Sequence, residues 1–475
     1  MRQIHDNSLA SNAMGTGSLV FIVLAALAPL TLMVAVAPLH FLKGGSAVPG
    51  AFILAGCVMT LFAVGFMTMN QYVRNAGAFY SVIAMGLGKP VGAGASLVAV
   101  LAYNALQIST YGAFGLYAGE TVERYSGLAV PWWGCALAAV ACVGWLGYHG
   151  IHTTARVLGC ILIAEALVLV VLAGSVVYAG VPEGFPMVSF LPSNVFQTNN
   201  GAMYTLIFGA FMGFESTTIF SEEVRGGQRT VRRATFIAVG FIAIFYSFMT
   251  AVVVAAYGAD AIEYAAERDP ANLVVNLFIR YTPPLIVDAM HVLLLGSAFA
   301  ALLALHNVAN RYLYTLGRER LLPKWLAVTH LQHKSPWRAG LLQSLLAVVL
   351  IVLTVVLGVD PYLGLLLWGS ALGLIAIIFL WTLCSAAIVL YMRRHGHPEK
   401  LWSSTMAPLT AFGVLASILV LALSNVSFLT GGTALVDRLL LGTGALAFGL
   451  GIGASFYMRY RYPEHYARFA EGSRP

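Results

Sequence analysis

Two acids lie deep inside apolar stretches. Glu165 and Glu215 each sit in a block long enough to cross about 30 Å of hydrocarbon as a helix. An acid at that depth is costly, and it marks an ion or ligand path. Such a carboxyl can hold a proton, help ligate a cation or face an ammonium. Around Glu215 the chain reads Phe208-Gly209-Ala210-Phe211-Met212-Gly213-Phe214-Glu215. Gly209 and Gly213 fit a close helix–helix contact. They fit equally an unwound stretch whose carbonyls hold an ammonium, and Glu215 favours that second reading. A further interruption is Ala28-Pro29-Leu30-Thr31-Leu32. Pro29 has no N–H and its ring clashes with the preceding turn, so it suits the first position of a new half-helix. The amides of Leu30, Thr31 and Leu32 would then lie at a positive helix end that attracts a carboxylate. The alternative is a plain proline kink.

The elements that must position these residues are membrane spans. Apolar residues make up 59% of the 475 residues and charged ones 9%, against about 25% charged in soluble domains. Loops rich in Pro, Gly and charge divide the chain into twelve expected spans, near 17–42, 47–70, 91–119, 130–149, 151–179, 199–222, 231–257, 284–310, 338–358, 361–391, 406–425 and 436–458. The expected fold is an all-α membrane protein of twelve transmembrane helices. The breaks fall in spans one and six, five helices apart, which is what a 5+5 inverted repeat with discontinuous helices 1 and 6 requires. The repeats are then 17–180 and 199–391, two extra helices fill 402–458, and the tails are 1–16 and 459–475. The loop 258–283 has room for one short surface helix.

Placing the N-terminus in the cytoplasm puts 21 of the 26 lysines and arginines on the inner side, from Arg2 and Arg74 through Arg229, Arg232 and Arg233 to Arg474. Only Lys43, Arg124, Arg268, Arg280 and Arg438 remain outside. This positive-inside bias sets the orientation, with both termini cytoplasmic. It assigns the net charge of +7 to anionic lipid headgroups, so no nucleic acid is expected as a partner. At the inner mouth, Glu222, Glu223, Arg225 and Arg318 are either a gate of ion pairs or a solvated helix end. The pairs His149/His152 and His330/His333 have metal-like spacing, yet they lie in loops without a neighbouring acid. Neither a metal site nor a membrane enzyme is expected, and no cofactor is called for.

Three stretches resemble the amino acid–polyamine–organocation superfamily. They are Asn75-Ala76-Gly77-Ala78-Phe79-Tyr80, then Gly213-Phe214-Glu215-Ser216 running on to Glu222-Glu223 and Arg229-Thr230-Val231-Arg232-Arg233-Ala234, and Arg311-Tyr312-Leu313-Tyr314-Thr315-Leu316-Gly317-Arg318 followed by Leu322-Pro323. Two departures stand out. Ala28-Pro29-Leu30-Thr31 replaces the family's Gly-x-Gly, and the prolines expected near Arg229 and Arg232 are missing. The resemblance implies a leucine-transporter-type fold and a secondary active permease of the plasma membrane, in a bacterium the inner membrane. Its cargo would be an amino acid or related amine, moved by alternating access. It implies that Pro29–Leu32 hold the α-carboxylate and Phe208–Met212 the α-ammonium. It also places Asn104, Gln107 and Trp368 near the pocket, where packing roles are the alternative. Glu165 falls near the position where relatives carry their coupling group, so proton symport is expected. Ser297 falls among sodium ligands of relatives, but Ala298, Ala300 and Ala301 offer no side-chain oxygen, so Na+ is the less expected ion. Exchange of amino acids or amines is the alternative mechanism.

Overall fold

The computed structural model describes residues 9–73, 77–149, 151–181, 184–197, 201–395 and 399–470. Arg2, Arg74, Asn75, Ala76 and Arg474 lie outside the described residues, as does the side chain of His152.

The first apolar block is split. Helix α1 (Thr16–Ala26) stops, a short turn Pro29–Thr31 and a π-helical stretch Leu32–Val36 follow, and α2 (Ala37–Gly44) completes the crossing. Then come α3 (Val48–Asn70), the short α4 (Ala78–Leu87), α5 (Lys89–Ser126), α6 (Trp132–Tyr148) and α7 (Ile151–Tyr178). The second half begins with α8 (Gly201–Gly209), which stops and resumes as a 3-10 turn, Phe214–Thr218. It continues through α9 (Gly227–Tyr257), α10 (Pro284–Arg318), α11 (Trp337–Val356) and α12 (Trp368–His395). Helices α13 (Ala407–Ser424) and α14 (Ala434–Arg461) end the series.

Among the described residues, nine helical stretches are long and apolar enough to cross a membrane. One of them, Thr16–Asn70, holds the first two expected spans. The expected span at 130–149 is the shorter apolar helix Trp132–Tyr148, and the sixth is shortened by its break. The loop 258–283 holds two short helices, Ile262–Arg268 and Leu273–Tyr281, where one was expected. The second is half-buried, with Asn276, Ile279 and Arg280 exposed. It buries Leu273, Val274, Leu277 and Phe278 and packs on the π-helical stretch beyond Pro29.

Two of the three π-helical stretches have a proline cause. Leu32–Val36 and Trp402–Met406 each end two residues before a proline, Pro38 and Pro408, and contain the carbonyl four residues back from it; the third, Tyr362–Leu367, comes after Pro361 at a helix start. A proline cannot donate to the carbonyl four residues back and its ring crowds that carbonyl. A wider turn relieves both defects.

The helix pairing is that of two related halves. Exchanging each span with the one five further on maps α3 against α9, α5 against α10 and α6 against α11 onto themselves. It turns the packing of α5 on α12 into that of α10 on α7, and that of α5 on α6 into that of α10 on α11. All of these contacts are present. Helix α13 packs on α3 and α12, and α14 on α5.

The α14–α5 contact depends on glycine. A Cβ at Gly451 would stand 2.3 Å from the Ala93 carbonyl oxygen and 2.7 Å from Gly94 Cα. Backbone cannot yield as a side chain can. Gly451→Val is therefore expected to lower the stability of the detergent-solubilised protein by about 1–3 kcal/mol, read as a fall in unfolding temperature. An unchanged transition would show that α14 does not hold to α5 there.

The first and last described residues meet on one face. Leu9 packs with Tyr314 and Ala327. Phe469 stacks on Tyr80 at 5.7 Å, and the Ala470 amide donates to Glu319. This face also carries Arg225, Arg311 and Arg318 and is called the basic face below.

Candidate functional site

The two breaks face each other. A Cβ built on Gly213 would lie 3.6 Å from Ala26 Cβ, and α1 packs on the turn Phe214–Thr218. Both breaks carry unusual backbone. Ala28, a non-glycine residue, has φ 45°, a conformation that costs about 1–3 kcal/mol and collects at functional sites. Gly213 has φ 107°, which suits its lack of a side chain.

At the first break, Pro29 opens the new helix as its sequence suggested. The amides that follow are not free. Leu30 N–H donates to Glu165 Oε2 at 3.1 Å, Thr31 N–H to Ser297 Oγ at 3.2 Å and Leu32 N–H to the Ala28 carbonyl at 2.8 Å. Ser297 Oγ in turn donates to Glu165 Oε2 at 2.7 Å. The anion-binding end of the half-helix is thus filled by the chain's own carboxyl from α7 and hydroxyl from α10. This corrects the expectation that Pro29–Leu32 offer open amides to a ligand carboxylate. Both hydrogen bonds fall on Oε2 of Glu165, and no hydrogen bond among the described residues reaches Oε1. The acceptors at this break stay open, because no hydrogen bond among the described residues ends on the carbonyls of Ala26 or Leu27.

At the sixth break the balance is similar. The Phe208 and Gly209 carbonyls accept from Phe211 and Met212 N–H, both at 3.0 Å. The carbonyls of Ala210, Phe211 and Met212 receive no hydrogen bond among the described residues. Glu215 is fully buried. Its Oε1 accepts from Tyr103 Oη at 2.7 Å and its Oε2 from Gly213 N–H at 3.0 Å. Glu215 therefore ties the unwound stretch to α5. Tyr103 was not singled out in the sequence, since nothing local distinguishes it from a packing aromatic. Behind the turn, Phe214 packs on Phe62 and Trp381.

The remaining residues divide. Asn104 Nδ2 donates to the Val100 carbonyl at 2.8 Å, while its buried Oδ1 has no partner among the described residues. Gln107 is bonded across helices. Its Nε2 lies 3.4 Å from Tyr111 Oη and from His306 Nδ1, and its Oε1 accepts from Gln343. It is polar glue among α5, α10 and α11. Phe208 and Phe211 are buried, and Gly209 closes on Leu374 of α12. Trp368 stands at the end of the π-helical stretch beside Gly364, with its indole N–H buried and unpartnered among the described residues.

The basic face carries two ion pairs and a strap. Arg318 donates to both oxygens of Glu222, at 2.6 and 2.9 Å, in a pair about one-third exposed, 31% and 29%. The second pair was not anticipated. Glu223 meets Arg311, whose Nε and Nη2 donate to its two oxygens, and both side chains are buried, 3% and 1% exposed. Arg311 also donates to the Asn307 carbonyl and side chain and lies 4.7 Å over Phe220. Arg225 serves the strap. Its amide donates to the Met14 carbonyl and its Nε to the Asn12 carbonyl, both at 2.7 Å, while Ala13 and Met14 N–H donate back to the Glu223 carbonyl. On the same face His149, His330 and His333 gather around Tyr148: the His333 ring centroid lies 5.0 Å from that of His149 and 4.9 Å from that of His330, and Tyr148 lies 4.7 Å from His330. Burial and the two neighbouring imidazoles hold His333 below the usual histidine range.

Two broken helices whose breaks face each other among long unbroken apolar ones define a polytopic membrane protein of the transporter type. The sequence profile of the amino acid permease family matches residues 11–441, and the chain belongs to that family. An uncharacterised transporter of Mycobacterium tuberculosis is 30% identical over 43% of this chain and 45% of its own length. The low-affinity putrescine importer PlaP of Escherichia coli is 22% identical over 61% and 63%. The branched-chain amino acid permease BcaP of Lactococcus lactis is 26% identical over 53% and 54%. The matches thus span about half to two-thirds of these relatives. In fold, the chain is similar to a manganese transporter of Eremococcus coleocola, with a TM-score of 0.55 at 14% identity over 98% of this chain and 99% of that one.

Proposed function

We propose that this protein is a secondary active transporter that carries an amino acid or a related amine across the plasma membrane by alternating access, driven by proton symport. The basic face is then cytoplasmic, and the ion pairs with the Asn12–Met14 strap form the closed inner gate. The observation that carries the reading is the placement of Glu165. Its carboxyl bridges the moving first helix, through Leu30 N–H, and α10, through Ser297, while Oε1 remains open to a proton. A carboxylate holds that bridge with an acceptor; a protonated carboxyl holds it differently and without charge. The proton thus changes how firmly the half-helix is tied to the scaffold. The relatives' names, a putrescine importer and a branched-chain amino acid permease, support the amine and amino acid class. Transport, with no chemical change to the cargo, needs no cofactor.

The test is uptake into liposomes with an imposed pH gradient. Acid outside is expected to drive accumulation, and dissipating the gradient to abolish it. Glu165→Gln keeps the shape and removes the titrating group, so it is expected to lose at least about tenfold of the gradient-driven accumulation, roughly 1.4 kcal/mol, while still binding cargo in a thermal-shift assay. Gradient-driven uptake intact in Glu165→Gln would remove Glu165 as the coupling group, and flux in the native protein that ignores the gradient and needs cargo on both sides would put exchange in place of symport.

A further inference from the structure

We propose, building on the transport reading, that the cargo is an amine without an α-carboxylate, because Glu165 and Ser297 occupy the amides that would receive one. The first argument is occupancy. All three N–H groups after Pro29 already have acceptors: Glu165 Oε2, Ser297 Oγ and the Ala28 carbonyl. A carboxylate placed at Leu30 must displace Glu165 or lie against it. Displacement strands a buried acid, which is 1% exposed here, and contact with the ionised Glu165 sets two carboxylates in competition for one donor. Both outcomes are unfavourable in a water-poor site.

The second argument is the surplus of acceptors. The carbonyls of Ala26 and Leu27 at one break, of Ala210, Phe211 and Met212 at the other, and Asn104 Oδ1 on α5 receive no hydrogen bond among the described residues. An ammonium has three donors and no acceptor, so it matches this set. The third argument is charge. Residues 16–42, 157–179 and 199–221 hold Glu165 and Glu215 but no lysine or arginine. The segments that build the two breaks can stabilise a cation and have no cationic side chain to neutralise a carboxylate.

Matched pairs test the proposal directly. The full-length protein in liposomes is offered phenethylamine or phenylalanine, isoamylamine or leucine, cadaverine or lysine, and putrescine or ornithine. Within each pair only the carboxylate differs. The expected result is uptake of at least one amine, with its parent amino acid at least tenfold weaker. An amino acid that equals or exceeds its amine in every responding pair overturns this proposal and leaves the transport reading standing. Silence in all pairs overturns the transport reading and this proposal with it. Binding to Glu165→Ala, followed by thermal shift, gives a second readout. Vacating the Leu30 amide is expected to shrink the preference for the amine about tenfold. A preference that survives undiminished shows that this amide does not discriminate and sinks the proposal.

Discussion

Arg311→Ala is expected to destabilise the protein by about 3–5 kcal/mol, because it strands a buried carboxylate. Glu223 takes both of its donors from Arg311, and neither side chain is more than 3% exposed. The same arginine also satisfies the Asn307 carbonyl and side-chain oxygen and covers Phe220. Its removal leaves acceptors that water cannot reach without opening the basic face. Arg318→Ala is the natural control. Its pair with Glu222 is bidentate but about one-third exposed, and exposed pairs contribute about 0–1 kcal/mol. Thermal unfolding in detergent should therefore separate the two variants widely. The double variant Arg311→Met, Glu223→Leu should recover much of the loss, since no charge remains unpaired. If Arg318→Ala proves as damaging as Arg311→Ala, the ranking by burial is wrong.

That ranking was out of reach from the sequence, for a physical reason. Arg311 and Arg318 are seven residues apart on α10, two turns on one face, and Glu222 and Glu223 are neighbours. Only the register of α10 against the chain leaving the sixth break decides which acid meets which arginine. The same holds at the first break. Pro29 marks a helix start by its own chemistry, and Glu165 marks itself by the cost of a charge in lipid. That the Leu30 amide meets Glu165, 135 positions away, is a matter of packing. Gln107 shows the limit on one helix. It lies three residues from Asn104, yet it turns to His306 and Gln343. The spans and breaks were legible because a bilayer penalises charge and open backbone residue by residue. The partners were not, because contacts between distant helices carry no local signal. The tail 459–475 carried no local sign of docking, yet its Phe469 is fully buried on Tyr80.

Gly213→Val is expected to abolish uptake and to cost more stability than Gly213→Ala, and the difference between them reports how closely the breaks approach. Gly213 has φ 107°, so any side chain there meets backbone strain of about 1–2 kcal/mol. For alanine that strain is most of the cost, because its Cβ would sit at an ordinary 3.6 Å from Ala26 Cβ. Valine adds two methyl groups at the same contact, and they cannot both avoid α1. The breaks must then separate, or the turn must reshape. Reshaping would release the Gly213 amide from Glu215 Oε2 and loosen the Tyr103 tie that shares the same carboxyl. Each buried polar group left without a partner costs about 1–3 kcal/mol. Unfolding temperatures of the two variants, beside uptake and cargo-induced thermal shift, separate these terms. Alanine should retain measurable binding, and valine should lose it. Equal behaviour of the two variants would mean that strain at Gly213 dominates and that the contact with Ala26 does not shape the site.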